Sequence, residues 1–216
     1  MRQANAESLM EGAYLKLRDM LLFQQEIVPG QKLIYRELTE LLKVSSTPIQ
    51  LALGRLEQEG FVERIPHVGF YVKRLNMKER DDLYDLRRII EISAVELAIK
   101  NKNPQDVKLL ETLSDRHANY VTPVYDRKKY LLDIEFHKHI CVMSQNEQYL
   151  SQLMRIFDHL YLRSRLNLVP PSRFLVTASQ HREIIKWIKE GNAPRARKSM
   201  DKHIRGAQES NKRLLS

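Results

Sequence analysis

Between residues 29 and 72 the spacing of apolar residues switches from a helical repeat to an alternating one, and each break falls on turn-forming residues. Leu38, Leu41 and Leu42 keep helical spacing until Lys43-Val44-Ser45-Ser46 interrupts them, a gap long enough for the corner between two helices. The next helix is predicted to open with Thr47 as N-cap and Pro48 at the first helical position, where a missing N–H is harmless. Ile49, Leu53 and Leu56 form its apolar face, with Ala52 allowing close contact. Gln50, Gly54 and Gln58 lie elsewhere on the cylinder, and Gly60 closes it. Residues 61–65 and 70–74 then read as strands around the turn formers Pro66-His67-Val68-Gly69. Two short helices followed by a two-stranded wing is a DNA-binding layout, with a polar face of the second helix free to enter a groove.

From Asn76 onward Gly and strand signals almost vanish and helical periods take over. Asn76, with Glu79 three residues on, is an N-cap signature for a helix reaching about Lys100, with Leu83, Leu86, Ile90, Ala94 and Leu97 expected to face inward. A second helix is predicted from Asn103-Pro104 to before Thr122-Pro123, and a third from about Asp126 to Ser144. A fourth follows an Asn146 cap to roughly Leu168, a fifth runs from Pro170-Pro171-Ser172 to Gly191, and a sixth follows an Asn192 cap. Six helices on short connections imply an antiparallel bundle. The expected fold is therefore mainly α: a winged helix-turn-helix over residues 1–75 and an all-α antiparallel bundle over residues 76–216.

Length and composition agree with two globular domains, since 216 residues with 43% hydrophobic content allow each its own core. A single cysteine, Cys141, excludes a disulfide framework within one chain and suits a reducing cytoplasm. No apolar run is long enough to span a membrane, and Glu7 and Glu11 break any secretory apolar stretch, so a cytoplasmic location is expected. The net charge of +9 carries less information than it suggests. Residues 1–75 hold ten Lys and Arg against nine Asp and Glu, so DNA binding is inferred from the arrangement of elements and not from charge.

The helical domain carries a candidate metal site. Asp133 and His137 are four residues apart, so both leave the same face of one helix. His181 and His203 lie ten residues before and eleven after the Gly191-Asn192 turn; at 1.5 Å per residue both sit about 15 Å from it, level with one another in an antiparallel hairpin. One carboxylate and three imidazoles suit zinc, nickel or a similar divalent ion, with positions left for water or an oxygen ligand. A histidine on an apolar face is more often a satisfied core residue than a ligand, so spacing alone leaves both readings open. His139 points away from the Asp133 face, and His117 and His159 have no partner that the pattern can place. Cys141 reads as a small buried hydrophobe.

The N-terminal residues resemble the GntR-type bacterial transcription regulators. The resemblance rests on Tyr14, Leu17 and Arg18, the Pro29-Gly30 turn, Arg36-Glu37-Leu38, Val44-Ser45, Thr47-Pro48, Ala52-Leu53, Arg55-Leu56, Glu59-Gly60 and Gly69, in register over about sixty residues. It implies that Arg36 and Arg55 contact phosphate or base, that Ser46, Thr47 and Gln50 face DNA, and that His67 with Gly69 forms the wing tip. Ser46 and Gln50 stand where the family usually has arginines, which implies an altered operator or weaker binding. The C-terminal part resembles the FCD effector-binding domain of the FadR subgroup, in its six-helix VanR-like branch. Its landmarks are Leu86-Arg87 and Glu91, Phe136-His137, Asn146, His181-Arg182, Gly191-Asn192, Ala193, Ala196 and His203-Ile204. That resemblance implies that Asp133, His137, His181 and His203 hold a metal anchoring a small carboxylate effector. It also implies that Arg87 neutralises the effector and that the helical domain supplies a homodimer interface; Arg163 and Arg165 lie in a helix where the family also carries arginines, and each reads equally as an effector contact or a solvated surface charge.

The expected function is a DNA-binding transcriptional regulator, taken as a repressor, whose operator binding responds to a small organic acid at a metal-containing pocket. Repression or activation depends on where the operator lies relative to the promoter. Two other classes remain: a ligand or metal sensor with weakened sequence-specific DNA binding, and a metal-dependent enzyme using the same four residues. Against the enzyme stand the absence of a His-Glu-x-x-His arrangement and of a general base, since Glu135 falls on roughly the opposite face from Asp133.

Overall fold

The computed structural model describes residues 2–23, 27–123, 126–163 and 172–212. The chain divides into two compact units, residues 1–75 with 158–164, and residues 76–157 with 165–216. In the first, helix α1 (Arg2–Phe23) precedes strand β1 (Lys32–Leu33), helices α2 (Tyr35–Leu42) and α3 (Ser46–Gln58), and strands β2 (Val62–Ile65) and β3 (Gly69–Val72). The strands form an antiparallel sheet in the order β1-β3-β2, with Val62 opposite Val72 and Lys32 opposite Tyr71. The hydrophobic pattern reveals neither α1 nor β1.

Helix α3 presents the expected apolar face: Ile49, Ala52, Leu53 and Leu56 are fully buried. They pack with Ala13, Tyr14, Leu17 and Leu21 of α1, Leu38 and Leu42 of α2, and Val62, Phe70 and Val72 of the wing. Two details differ from expectation. Leu41 is exposed, so α2 rests on Leu38 and Leu42. The N-cap of α3 is Ser45, not Thr47, and Pro48 takes the third helical position. The first four N–H groups of a helix have no partner within it, so proline fits there as well as at the start. Lys43 in the left-handed region (φ 54°) turns the corner out of α2. Gly60, at φ 81°, ends α3 with a backbone conformation that a side chain would strain.

Six helices follow among the described residues, all in the second unit except the part of α7 from residue 158 on: α4 (Met77–Asn101), α5 (Pro104–Asn119), α6 (Arg127–Met143), α7 (Glu147–Arg163), α8 (Ser172–Glu190) and α9 (Ala193–Lys212). Their starts follow the caps. Asn76 and Glu79 form a reciprocal capping box, and Asn103 and Asp126 each accept from the backbone N–H three residues on. Helix α4 packs against α6, α8 and α9, and α5 against α6 and α8. No helix among the described residues is long and apolar enough to cross a membrane.

The inner face of α4 is not the expected one. Ile90 and Ala94 are buried, but Leu86 is exposed and Leu83 and Leu97 are only half-buried. Arg80, Tyr84, Arg87, Glu91, Val95 and Ala98 take the interior. Charged side chains lie inside because they are paired there, Arg80 with Asp81 and Arg87 with Glu91 on α4 itself, and the latter pair also with His137 of α6.

Candidate functional site

Asp133 and His137 of α6, His181 of α8 and His203 of α9 converge in the bundle interior, offering ligand atoms that all lie within 4.8 Å of one another. The histidines are fully buried or nearly so, and Asp133 is almost so. His181 Nε2 is 3.3 Å from Asp133 Oδ1, and His137 Nε2 is 3.9 Å from Asp133 Oδ2. The His181 and His203 rings, level across the α8–α9 turn, have centroids 4.9 Å apart.

Neighbouring side chains fix the tautomers of two imidazoles. The Nδ1–H of His137 donates to Glu91 Oε2, and that of His203 donates to Gln180 Oε1 at 3.1 Å. Each ring therefore presents its Nε2 lone pair to the site, and those two nitrogens face each other at 3.1 Å. Two lone pairs repel at that distance unless an electrophile stands beside them. Arg87 Nη2 does so, donating to His137 Nε2 at 3.0 Å, while its Nε donates to Glu91 at 2.5 Å. Gln180 is held in turn by Arg173, whose guanidinium also reaches the backbone oxygen of His203. That guanidinium lies so close to Gly206 that a Cβ would meet it at 2.9 Å.

The electrostatics suit a cation. Burial alone would raise the Asp133 carboxyl, but the approach of His181 and the facing His137 hold it well below the usual carboxylate range. Burial lowers His203 well below an ordinary imidazole, with His181 and His137 adding to it, and burial lowers His181 against the pull of Asp133. Burial would likewise raise Glu91, but the Arg87 charge and then His137 keep it ionised. The site thus offers an anionic oxygen and neutral nitrogens, the donor set that a borderline divalent ion takes. Asp133 Oδ1 and both nitrogens of His181 have no hydrogen-bond partner, which is the mark of a site shaped for a further occupant.

All four residues expected to share a site are brought together, and Arg87 joins them. Arg163 ends α7, but its side chain lies outside the described residues, as does Arg165. Sequence reasoning missed the roles of Glu91 and Gln180, although Glu91 lies one turn beyond Arg87 and Gln180 adjoins His181. It also left His117 of α5 without a partner. His117 is fully buried beside the site, its ring centroid 5.3 Å from that of His181. His139 does point away, to the backbone oxygen of Asp106 at 2.9 Å, and Cys141 is buried.

In the first unit Ser46, Thr47 and Gln50 are exposed at the start of α3, and the outward face continues through Leu51, Gly54, Glu57 and Gln58, with one acidic and no exposed basic residue. Arg36 is exposed on α2, and its guanidinium bonds to Glu40 one turn on. Arg55 is engaged within the domain: it pairs with Glu11 at 2.6 Å and Glu59 at 3.3 Å, and its guanidinium lies 3.6 Å from the centre of the Tyr14 ring. His67 occupies the wing tip at φ 61°, exposed, next to Gly69 at φ 130°.

Residues 9–72 match the gntR family of bacterial regulatory proteins, and residues 82–206 match the FCD domain. An uncharacterized HTH-type transcriptional regulator in an unstable DNA locus of Streptomyces ambofaciens is 30% identical over 95% of this chain and 86% of its own. The Nta operon transcriptional regulator of Aminobacter aminovorans is 35% identical over 61% of this chain and 62% of its own. Among solved structures, E. coli McbR/YncC superposes with a TM-score of 0.80 over 96% of this chain and 99% of its own; at 19% identity the likeness shows the fold alone.

Proposed function

This chain belongs to the GntR family of bacterial transcriptional regulators, with an N-terminal gntR helix-turn-helix domain and a C-terminal FCD domain, and from that membership we propose a metal-dependent, effector-responsive operator-binding protein that acts as a repressor. The family and these relatives are transcriptional regulators and not enzymes. The observation that carries the proposal is the pair of fixed tautomers, because it aims the Nε2 atoms of His137 and His203 at one point already shared by Asp133 and His181.

Asp133, His137, His181 and His203 would hold a divalent ion, zinc or nickel by donor type, which supplies an open position for a carboxylate oxygen. Arg87 is the effector's counter-charge in this reading. The ion and the Arg87 N–H compete for one lone pair, that of His137 Nε2, so metal loading releases an Arg87 donor toward the incoming acid. The effector then favours one state of the protein by its differential affinity, and a coupling of about 1–3 kcal/mol regulates a promoter. We assign the operator contacts to Arg36, Ser46, Thr47, Gln50, Arg55 and the His67–Gly69 tip, and two-fold reading of a palindrome to a homodimer. Ile89 and Leu86 are exposed on α4 and give a second copy an apolar strip to cover.

The test is binding of the purified protein to DNA from upstream of its own gene, at fixed salt with excess non-specific competitor. It is run with metal, with chelator, and with a panel of small carboxylates. Competitor-resistant binding that one acid changes only in the metal-loaded protein is expected. Binding indifferent to metal and to every acid would sink the reading.

The outward face of α3, which carries no exposed basic residue, favours a second reading, a sensor with weakened sequence recognition. Loss of binding at modest salt, with no preferred sequence, would select it, because phosphate contacts alone are strongly salt-dependent.

A further inference from the structure

Buried polar atoms without a hydrogen-bond partner concentrate beside the cluster in the helical unit. They include Asp133 Oδ1, both nitrogens of His181, both nitrogens of His117 and, one turn earlier on α5, Ser114 Oγ. Buried polar groups are nearly always satisfied, so a local group of orphans marks a missing partner and not random imperfection. His117 is the residue that the four-ligand reading leaves unexplained. It is wholly buried, yet neither ring nitrogen bonds to protein.

The fold holds His117 where it is. Lys129, itself buried near the start of α6, donates its ammonium to the backbone oxygens of His117 and of Tyr120, the latter at 3.0 Å. This fastens the C-terminal end of α5 to α6 one turn before Asp133. His117 Nε2 consequently stands 3.9 Å from Asp133 Oδ1, the same separation that His137 Nε2 keeps from Asp133 Oδ2. The ligand atoms that all lie within 4.8 Å of one another belong to Asp133, His137, His181 and His203, and His117 stands beside that group on the Asp133 side.

We propose that His117 is a fifth protein ligand of the metal centre, joining Asp133, His137, His181 and His203 through its Nε2. Neither nitrogen of its ring is engaged by the protein, so the Nε2 that faces Asp133 is available to an ion. One carboxylate and four imidazoles leave a single position of an octahedron for an effector oxygen. That donor count disfavours tetrahedral zinc and favours a six-coordinate ion such as nickel or cobalt. The inference rests on the metal-site reading given above and goes beyond it in ligand number and metal preference.

The experiment is long-range proton–nitrogen NMR of the full-length chain labelled with 15N-histidine, titrated with zinc as a diamagnetic probe. His139, bonded to the Asp106 carbonyl, and the exposed His67 serve as internal controls. His117→Gln assigns the His117 signals, and the same variant is titrated with cobalt while its visible absorption is followed. Metal-bound nitrogen shifts at His117 together with the other three, and a roughly 10- to 100-fold weaker metal affinity in His117→Gln, are expected. Shifts at His137, His181 and His203 with His117 unmoved would overturn the fifth ligand and leave the four-residue site standing. If none of the four moves, the metal-site reading falls as well. The spectrum of the unaltered protein alone separates these results, whether or not the variant folds.

Discussion

Arg87 and Glu91 form an ion pair that is almost completely withdrawn from solvent, with relative exposures of 3% and 0%. Replacing one member of such a pair leaves the other charge buried and uncompensated, which costs about 3–5 kcal/mol. Glu91→Leu also removes the acceptor of the His137 Nδ1–H, placing it toward the upper end. Arg87→Met leaves Glu91 with that imidazole N–H alone. The two single losses would sum to about 6–10 kcal/mol. The double variant Arg87→Met/Glu91→Leu leaves no buried charge of the pair, only an unpaired His137 N–H, and should lose about 1–3 kcal/mol. The cycle therefore predicts strong non-additivity, with the double variant more stable than either single one. The assay is urea unfolding of metal-free protein followed by fluorescence of Trp187, the only tryptophan, which lies on α8 and reports the helical domain. Additive losses, or single losses below about 1 kcal/mol, would mean that the pair is solvated and that the site is not the closed environment described here.

Acid should unfold the metal-free protein early. His117, His181 and His203 are all lowered in the folded state, so the unfolded chain binds more protons and stability falls as pH drops from about 6.5 toward about 4. His117 alone contributes about 3 kcal/mol of that loss, and the low-lying Asp133 and Glu91 extend it below pH 4; urea midpoints that stay flat between pH 7 and 5 would refute this. A divalent ion at a hundredfold excess over its Kd should stabilise the protein by about 2.7 kcal/mol, visible as a rise in Tm that chelator reverses and Asp133→Ala abolishes; a shift surviving in Asp133→Ala would place the ion elsewhere. Introducing Ser46→Arg and Gln50→Arg should redirect selection from random DNA, each bidentate arginine adding about 1–3 kcal/mol of base discrimination. An unchanged selected sequence would show that the outward face of α3 does not read bases.

The capped helix starts of the second unit were legible because a cap is a local device. Asn76 with Glu79, Asn103 before Pro104, and Asp126 each satisfy backbone N–H groups within three residues, so the sequence window contains both partners. The face of α3 was legible for a similar reason: its buried residues are all apolar and its exposed ones mostly are not. Helix α4 violates that assumption. It buries Arg80, Arg87 and Glu91 and exposes Leu86 and Ile89, so a period counted on hydrophobicity points away from the true interior. Part of what makes the interior of α4 tolerable for charge is local, the Arg87–Glu91 pair one turn apart, but the rest comes from His137, 50 residues from Arg87 and 46 from Glu91, and no hydrophobic period carries either.

The same distance effect explains which site residues could be read. Asp133 with His137, and His181 with His203, each sit at spacings fixed by one helix or one hairpin, and geometry alone makes them neighbours. His117 has no such relation to any of them. It reaches Asp133 only because Lys129 gives up solvent to fasten α5 onto α6, and a lysine in a run of Arg127-Lys128-Lys129 looks like any solvated basic patch. Burying an ammonium against two carbonyls and the face of Phe174, with no carboxylate bonded to it directly, costs stability. Here that cost falls on an end of α5 whose notable feature is a histidine with two free nitrogens. Structural economy would have placed an apolar residue at position 129 and another at 117. Both are polar and buried, and the fifth ligand proposed above would account for the histidine that Lys129 holds in place through its backbone oxygen.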